Sequence, residues 1–479
     1  MNSKTQKTSN SSACQLVHLS TQKFMKRIFP LLAIASLLAA CHSQPSPSDK
    51  DYMAWMYYEN LIKIPMLPVR NDSTLCIINP GTPNWNEVNP KMSGTQDENP
   101  LLPSFTGEVT MLPLAPTPGF HIGCIEKIET DGDLLFVLGA ETEAGGKDVF
   151  QYNIKKRAGF IFRRDGSLVA QLKVSNVSKD KDMVTMALNR EAKEISLMFW
   201  EKWRDNWGDL LSYDYEGNLL RHDVTYYDYA NIMGFTQNHL VSNVRPPLHD
   251  FAPQLTVYDK ELLPRGFCLS RPSPVYTCDL EAALVNSGDE LFYVAEYSDT
   301  IWQVTPEGAF ARYLVRDDGV GIGSVAFDST LTKSQRVLAT ENIFIPEPGI
   351  DQSLLVSPDF LLRRYIQHYD IRIEEETDST FRWTHSHRYT YLVYDRVSGH
   401  NCWAWSIDQY RFKLRGLCLT SAKALTADGI LISFHTPAQM KYFASHPETY
   451  ELDDETLAFI KQLDIKGSPV LLLMQLKHF

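Results

Sequence analysis

The sequence predicts an all-β fold, specifically a six-bladed β-propeller, from two observations. Short runs rich in β-branched and aromatic residues alternate with clusters of Asn, Asp, Gly and Pro. A strand–turn–strand pattern also recurs at intervals of about 45 to 50 residues, a period typical of propeller blades. A repeat of this kind cannot cover its own faces, and stacking the repeats around an axis buries them. A β-sandwich or a β-solenoid is the alternative arrangement.

Six copies of the pattern give the expected number of blades. Most copies turn at a pair such as Asp165-Gly166, where glycine supplies the positive φ of a tight hairpin. An irregular stretch, residues 324–382, separates the fourth and fifth copies and is interpreted as extra strands and insertions. The most helix-like segment is Asp453–Leu463, near the end of the chain. The six copies are Gly159–Lys173, Leu210–Val224, Leu255–Leu269, Thr300–Val315, Tyr389–Ile407 and Leu425–Phe434.

The first 40 residues have the features of an export region. From Met25, two basic residues precede an apolar run, Ile28–Ala40, which is too short to favour a permanent membrane span. The run ends in Leu-Ala-Ala followed by Cys41, which resembles the lipobox of bacterial lipoproteins. That resemblance implies that Cys41 is lipidated and becomes the first residue of the mature chain. An ordinary signal peptide with an incidental cysteine is the alternative, and a true start at Met25 would leave the polar residues 1–24 outside the signal.

Three regions are expected along the chain. Residues 1–40 are the export region with its signal peptide. Residues 41–104 begin with a Pro/Ser-rich linker after the lipidated cysteine and continue as an extension without an assigned structure. Residues 105–479 form the propeller. The predicted architecture is therefore a six-bladed β-propeller with a short N-terminal extension that follows a lipoprotein signal peptide.

The charge of the chain excludes some classes of partner. The full chain carries a net charge of −12, and five of its 46 basic residues but none of its 58 acidic residues precede residue 42, which leaves −17 on the mature part. An acidic surface repels phosphate backbones and anionic lipid head groups. Nucleic acid is therefore not an expected partner, and the membrane is expected to be contacted through the lipid.

Six cysteines lie beyond the export region, without a Cys-x-x-Cys pair that would indicate a zinc ribbon or a thioredoxin-like site. Export permits disulfides, and the spacing of Cys268 with Cys278 and of Cys402 with Cys418 fits neighbouring strands. Buried free thiols that pack as small apolar groups are the alternative.

Several segments resemble the six-bladed β-propeller lipoproteins of Gram-negative bacteria. Tyr297–Gly308 contains Ser-Asp-Thr-Ile-Trp, similar to the Ser-Asp-Thr-Ile-Tyr turn of that family. Ile122–Glu129 resembles the strand that opens the first blade, and Ser468–Lys477 resembles the closing strand, with serine where asparagine is usual. The similarity covers roughly residues 105 to 479. It implies a fold and an address in the cell envelope, at the outer membrane, but no reaction.

A cluster of tryptophans is the first candidate binding surface. Trp200, Trp203 and Trp207 stand among charged residues where a loop between strands is expected, and Tyr227 lies near enough in the chain to extend the surface. Exposed indole rings offer flat apolar faces to sugar rings or partner side chains. The alternative is that these rings fill gaps between blades.

A candidate metal site is weaker. His385 and His387 form His-x-His in an expected strand, where alternate side chains share one face. No third ligand lies nearby in the sequence, and two surface histidines are the alternative. No metal or other cofactor is therefore expected, except Ca²⁺ or Zn²⁺ if the protein is an enzyme.

The sequence favours a binding module over an enzyme. It contains no Ser-His-Asp order, no phosphate-binding glycine loop and no zinc-protease motif. The expected function is that of a lipid-anchored propeller, facing the surface or the periplasm, that binds a glycan, a peptide or a partner protein. The alternative is a lactonase-like hydrolase or a lyase with a metal or carboxylate site at the mouth of the central channel.

Overall fold

Six β-sheets account for most of the residues that the computed structural model describes. All of them lie in one unit, Met66–Phe479, distinct from a second unit, Met1–Pro65. The described residues are 64–81, 105–142, 154–175, 177, 181–201, 207–226, 232–243, 253–270, 282–295, 298–316, 330–339, 341, 344–346, 353–376, 381–404, 417–419, 422–446, 450, 452–464 and 467–479. Cys41, the predicted lipidation site, lies outside them.

Sheets I to III each contain four consecutive antiparallel strands. Sheet I consists of β3 (Cys124–Asp131), β4 (Leu134–Thr142), β5 (Ile154–Arg163) and β6 (Leu168–Gln171). Sheet II consists of β7 (Lys181–Asn189), β8 (Glu194–Glu201), β9 (Trp207–Asp214) and β10 (Leu219–Tyr226). Sheet III consists of β11 (Met233–Thr236), β12 (His239–Asn243), β13 (Pro253–Tyr258) and β14 (Pro264–Ser270).

Sheets IV to VI depart from this pattern. Sheet IV contains β15 (Ala282–Ser287), β16 (Glu290–Ala295), β17 (Thr300–Thr305) and β18 (Gly308–Val315), with β1 (Val69–Ile78) added beside β18. Sheet V contains β19 (Phe344–Pro346), β20 (Leu354–Val356), the long strands β21 (Phe360–Glu376) and β22 (Phe381–Asp395), and β23 (Asn401–Ala404). Sheet VI contains β24 (Ala422–Leu425), β25 (Ile430–His435) and β26 (Val470–Leu476), with β2 (Thr106–Pro113) beside β26.

Three helices are described, and two of them lie between β25 and β26. These two are α2 (Pro437–Ala444), capped by Thr436, and α3 (Asp454–Gln462), capped by Asp453. The shorter α1 (Lys333–Ala339) contacts β21. The Asp453 carboxylate accepts a hydrogen bond from the Thr456 amide, which satisfies a free N–H of the first turn. The helix that the sequence predicts near the end of the chain is therefore confirmed.

The six predicted hairpins are also present as antiparallel strand pairs. Five are the pairs β5–β6, β9–β10, β13–β14, β17–β18 and β22–β23, and the sixth is β24–β25. At the first of these turns Gly166 has φ +83°, and its Cβ position would lie 2.5 Å from the Pro113 carbonyl oxygen. The turn therefore requires glycine both for its dihedral angle and for its close packing against the end of β2.

The sheets contact one another in a cyclic order. If β1, β2 and β19 are set aside, the first strands of the sheets touch in the order β3, β7, β11, β15, β20 and β24, and β24 touches β3 again. An apolar cluster fills the space between each consecutive pair of sheets, including sheets VI and I, where Ile432 and Leu471 pack with Phe160. Each sheet therefore buries both of its faces against neighbours, which explains the strongly apolar strands.

Two strands from the start of the described chain complete sheets that are distant in sequence. β2 pairs antiparallel with β26, from Thr106 opposite Leu476 to Pro113 opposite Val470. β1 pairs parallel with β18. β1 belongs to residues 41–104, the extension to which the sequence assigned no structure. The predicted propeller begins at residue 105, whereas the unit that holds the sheets begins at Met66.

Candidate functional site

A cavity of about 230 Å³ lies where turns from five sheets meet. Its lining includes one residue from the turn after the first strand of sheets I, II, IV and VI, and one at the equivalent position in sheet V. These residues are Gly132 of sheet I, Arg190 of sheet II, Gly288 of sheet IV, Asp428 of sheet VI and Ser357 of sheet V. We call this site the turn cavity. The first strands β3, β15, β20 and β24 supply the rest of its wall, with Arg164 from the β5–β6 turn.

Charged side chains on β3 form the polar wall of the turn cavity. Lys127 and Glu129 alternate along the strand and are only 7% and 8% exposed. Lys127 Nζ lies 3.3 Å from Glu129 Oε1 and donates to the Met186 carbonyl oxygen on β7 at 2.9 Å. Glu129 Oε2 lies 3.1 Å from Arg190 Nη2. This buried network joins sheet I to sheet II, and the pairing compensates the desolvation of its three charges.

Asp131 extends the network at the end of β3. Its Oδ2 atom lies 2.7 Å from Lys193 Nζ and accepts a hydrogen bond from the Tyr215 hydroxyl at 2.8 Å. Burial, together with this hydrogen bond, raises the pKa of Tyr215 well above its usual range. The hydroxyl therefore stays protonated at neutral pH and fixes the orientation of the Asp131 carboxylate.

Arg164 and Asp428 close the opposite side of the turn cavity, between sheets I and VI. The guanidinium forms a bidentate pair, with Nη1 2.7 Å from Oδ2 and Nη2 3.0 Å from Oδ1. Hydrogen bonds from Arg164 lower the pKa of Asp428 to about 2. The carboxylate stays ionised at neutral pH, so it orients the arginine and does not serve as a proton donor.

The predicted tryptophan surface lies only in part within the described residues. Trp200, the penultimate residue of β8, is 8% exposed and packs in the apolar cluster between sheets II and III, beside Met198 and Phe235. Trp200 therefore lies between two sheets, as in the alternative in which these rings fill gaps between blades. Trp207 begins β9, and its side chain, like Trp203 and Tyr227, lies outside the described part of the chain. Ligand contact by this group stays a prediction.

The candidate metal site is not brought together by described side chains. His385 and His387 lie on β22 as predicted, and His387 pairs in register with His368 on β21. The side chains of His385 and His387 lie outside the described set. Within that set, no group of three or more His, Cys, Asp or Glu side chains is placed to hold a metal ion.

The described cysteines are free thiols. Cys402 and Cys418 are both unpaired by disulfide, as is Cys268, whose predicted partner Cys278 lies outside the description. Burial raises the pKa of each of these three thiols to about 12. They are therefore protonated at neutral pH and pack as small apolar groups, the alternative that the sequence left open.

The Ser-Asp-Thr turn of sheet IV is held by contacts within the structure. Ser298 Oγ accepts a hydrogen bond from the Thr300 amide at 3.2 Å, and the Ser298 carbonyl accepts one from Arg363, which is 2% exposed. Burial raises the pKa of Asp299, and Arg363 opposes this effect. The motif links sheets IV and V, and sequence alone did not identify Arg363 as its partner.

The fold and the turn cavity define a mostly-β protein whose described part holds six sheets, with a charged cavity where turns from five of these sheets meet. A protein of Bacteroides fragilis NCTC 9343 classed as exported has a similar structure, with a TM-score of 0.56, 13% identity and coverage of 84% of this chain and 100% of its own. A member of the DUF4221 family from Bacteroides vulgatus matches with a TM-score of 0.40 and 9% identity, covering 78% of this chain and 97% of its own.

Sequence comparisons add no family to this likeness. No protein-family model matches the chain. No curated protein matches it either. Among the described helices, none is both long and apolar enough to cross a membrane.

Proposed function

We propose that the chain is an exported, lipid-anchored six-bladed β-propeller that acts as a binding module. The cyclic contacts of the six sheets support the propeller and its blade count, with sheet VI closed by β2 from the other end of the unit. The likeness to a Bacteroides protein classed as exported supports delivery to the cell envelope. The Leu-Ala-Ala-Cys41 motif supports attachment to a membrane, the outer membrane in this proposal, through lipid.

The observation that carries the binding role is the turn cavity. Turns from five sheets meet there, and these turns follow strands that contact one another in a cyclic order. Binding sites on such scaffolds form where loops from several blades converge. The proposed ligand is a glycan, a peptide or a partner protein that presents a group to this cavity.

The ionisation of the groups at the turn cavity favours binding over catalysis. A general acid needs a raised pKa, and a nucleophilic thiol needs a lowered one. The Asp428 carboxylate instead has a pKa of about 2, and burial raises the pKa of the Cys124 thiol beside the turn cavity to about 11. The lining carboxylates Glu126, Glu129 and Asp131 each accept a cationic partner, which fixes their positions.

The test is direct binding by the mature protein. Glycan and peptide arrays probed with the purified chain, together with crosslinking in intact cells, should identify a ligand or a partner. The same probes with Arg164→Gln, which breaks the pair with Asp428, should bind more weakly. A mature chain that binds nothing on the arrays and crosslinks to nothing in cells would overturn the proposal.

A further inference from the structure

We propose that the turn cavity binds the carboxylate of a small organic acid no larger than a monosaccharide. This inference rests on the proposed binding function and names the chemistry of its ligand. It depends on three features of the cavity: a lining without net negative charge, buried hydrogen-bond donors without partners, and apolar walls beside them.

The lining of the turn cavity does not share the net negative charge of the protein. Two of its lining carboxylates, Glu126 and Asp131, pair with cations that lie outside the lining, Arg157 and Lys193. The lining itself holds four cationic side chains and four carboxylates and is therefore neutral in formal charge, whereas the chain has a net charge of −12. The four cationic side chains of the lining are Lys127, Arg164, Arg190 and Lys423.

Three lining groups have buried donors without a hydrogen-bond partner. Arg190 Nη1 and Arg164 Nε are two of them, and the third is the Ser287 hydroxyl on β15. Ser287 is only 6% exposed, so its hydroxyl cannot turn to bulk solvent. A buried donor without a partner is costly, and an oxyanion in the cavity would satisfy such donors.

The donors are held in place before any ligand enters. Arg190 Nη2 is fixed by Glu129 and by the Thr130 carbonyl oxygen at 2.9 Å, and Asp428 grips both terminal nitrogens of Arg164. These contacts leave two N–H donors without a hydrogen-bond partner. They are Nη1 of Arg190, from sheet II, and Nε of Arg164, from sheet I. A preorganised set of charged donors loses little entropy when it binds an anion.

The size and walls of the cavity favour an organic acid over an inorganic ion. Leu284, Val285, Leu355 and Val356 line it from sheets IV and V, so one side can contact carbon atoms. Its volume of about 230 Å³ is below the range of roughly 300–1,000 Å³ for drug-sized ligands, which points to a smaller molecule.

The experiment is calorimetric titration of the mature chain with two matched pairs of probes. D-glucuronate is compared with D-glucose, and N-acetylated dialanine with its C-terminal amide. The carboxylate of at least one pair should bind roughly tenfold or more tightly than its neutral partner, because hydrogen bonds to charged groups are the strong ones. Binding through the dipeptide alone would identify a peptide terminus as the source of the carboxylate.

Two substitutions in the lining test whether the carboxylate binds in the turn cavity. Ser287→Ala removes the hydroxyl, and Arg190→Lys keeps the charge but lacks Nη1. Each variant should bind the carboxylate probe severalfold or more weakly without changing the circular dichroism spectrum of the folded protein. Arg265→Gln, an exposed arginine of sheet III, which does not line the cavity, is the matched control and should bind as the unchanged protein does.

The outcomes separate this inference from the proposed function. Equal binding of neutral and charged probes, or carboxylate binding that both cavity variants leave unchanged, would overturn the carboxylate site. An array ligand that binds both variants normally would leave the binding module standing and remove this site from it. Failure of all four probes overturns the inference, and failure of arrays and crosslinking as well overturns both.

Discussion

His435 should make the stability of this fold fall as the pH drops below neutral. The residue ends β25, is 4% exposed, and packs edge-to-face on Phe443 of α2 with ring centroids 5.2 Å apart. Burial lowers its pKa from 6.5 to about 4, and a hydrogen bond to the Leu417 backbone opposes this only in part. The fold therefore holds the ring neutral, whereas the unfolded chain protonates it near its ordinary pKa.

The sign and size of the effect follow from these two pKa values. Between pH 6.5 and 4 the unfolded chain binds a proton that the folded chain does not, so stability falls as pH falls through this window. The slope is at most about 1.4 kcal/mol per pH unit. From pH 7 to pH 5, His435 should therefore remove about 2 kcal/mol of unfolding free energy.

Guanidinium unfolding at pH 7 and pH 5, followed by tryptophan fluorescence, measures this loss. His435→Gln keeps an N–H donor for the Leu417 carbonyl but does not titrate, so it should lose about 2 kcal/mol less than the unchanged protein between the two pH values. His121→Gln, which replaces an exposed histidine, is the control and should retain the full pH dependence. If His435→Gln and the unchanged protein lost equal stability, the buried neutral imidazole would be refuted.

Three further perturbations test other parts of the structure. Cys41→Ala should move the exported protein from the membrane to the soluble fraction, and a variant that stays membrane-bound after signal cleavage would contradict the lipid anchor. Glu129→Gln leaves two buried cations underpaired and should lower the free energy of unfolding, measured with denaturant, by about 3–5 kcal/mol. Asp428→Asn removes a more exposed pair and should lower it by about 1 kcal/mol or less. Equal losses would refute the buried network. Gly308→Ala places a Cβ 2.2 Å from the Pro68 oxygen, so limited proteolysis should cut β1 faster; unchanged cleavage would count against that contact.

Local patterns predicted the hairpins of this fold because their information is local. Asp214 accepts hydrogen bonds from the Glu216 and Asn218 amides, and Gly217 takes a positive φ, so a few adjacent residues determine that turn. The helix at Asp453 is equally local. The position of β1 beside β18 was not predictable in this way, since its partners lie more than 200 residues further along the chain.

The turn cavity was missed because charge on a strand ordinarily indicates a solvent-exposed face. Lys127 and Glu129 stand among other polar residues of β3, Glu126, Thr130 and Asp131, a composition typical of an exposed strand, yet both are buried. Their partner Arg190 lies about 60 residues away on the next sheet, and Asp428 meets Arg164 from the other end of the chain. Only the arrangement of the sheets brings these residues together, so spacing in the sequence carried no signal for them.

The pairing of β2 with β26 has a consequence for how the chain folds. β2 precedes the other strands of its sheet by more than 300 residues, so its partner edge does not exist until β26 has been synthesised. Closure over such a separation carries a large loop entropy and is intrinsically slow. Until then β2 and the rim of sheet VI present unpaired edges that are prone to aggregation. Chaperones should therefore act mainly on this late, nearly complete intermediate.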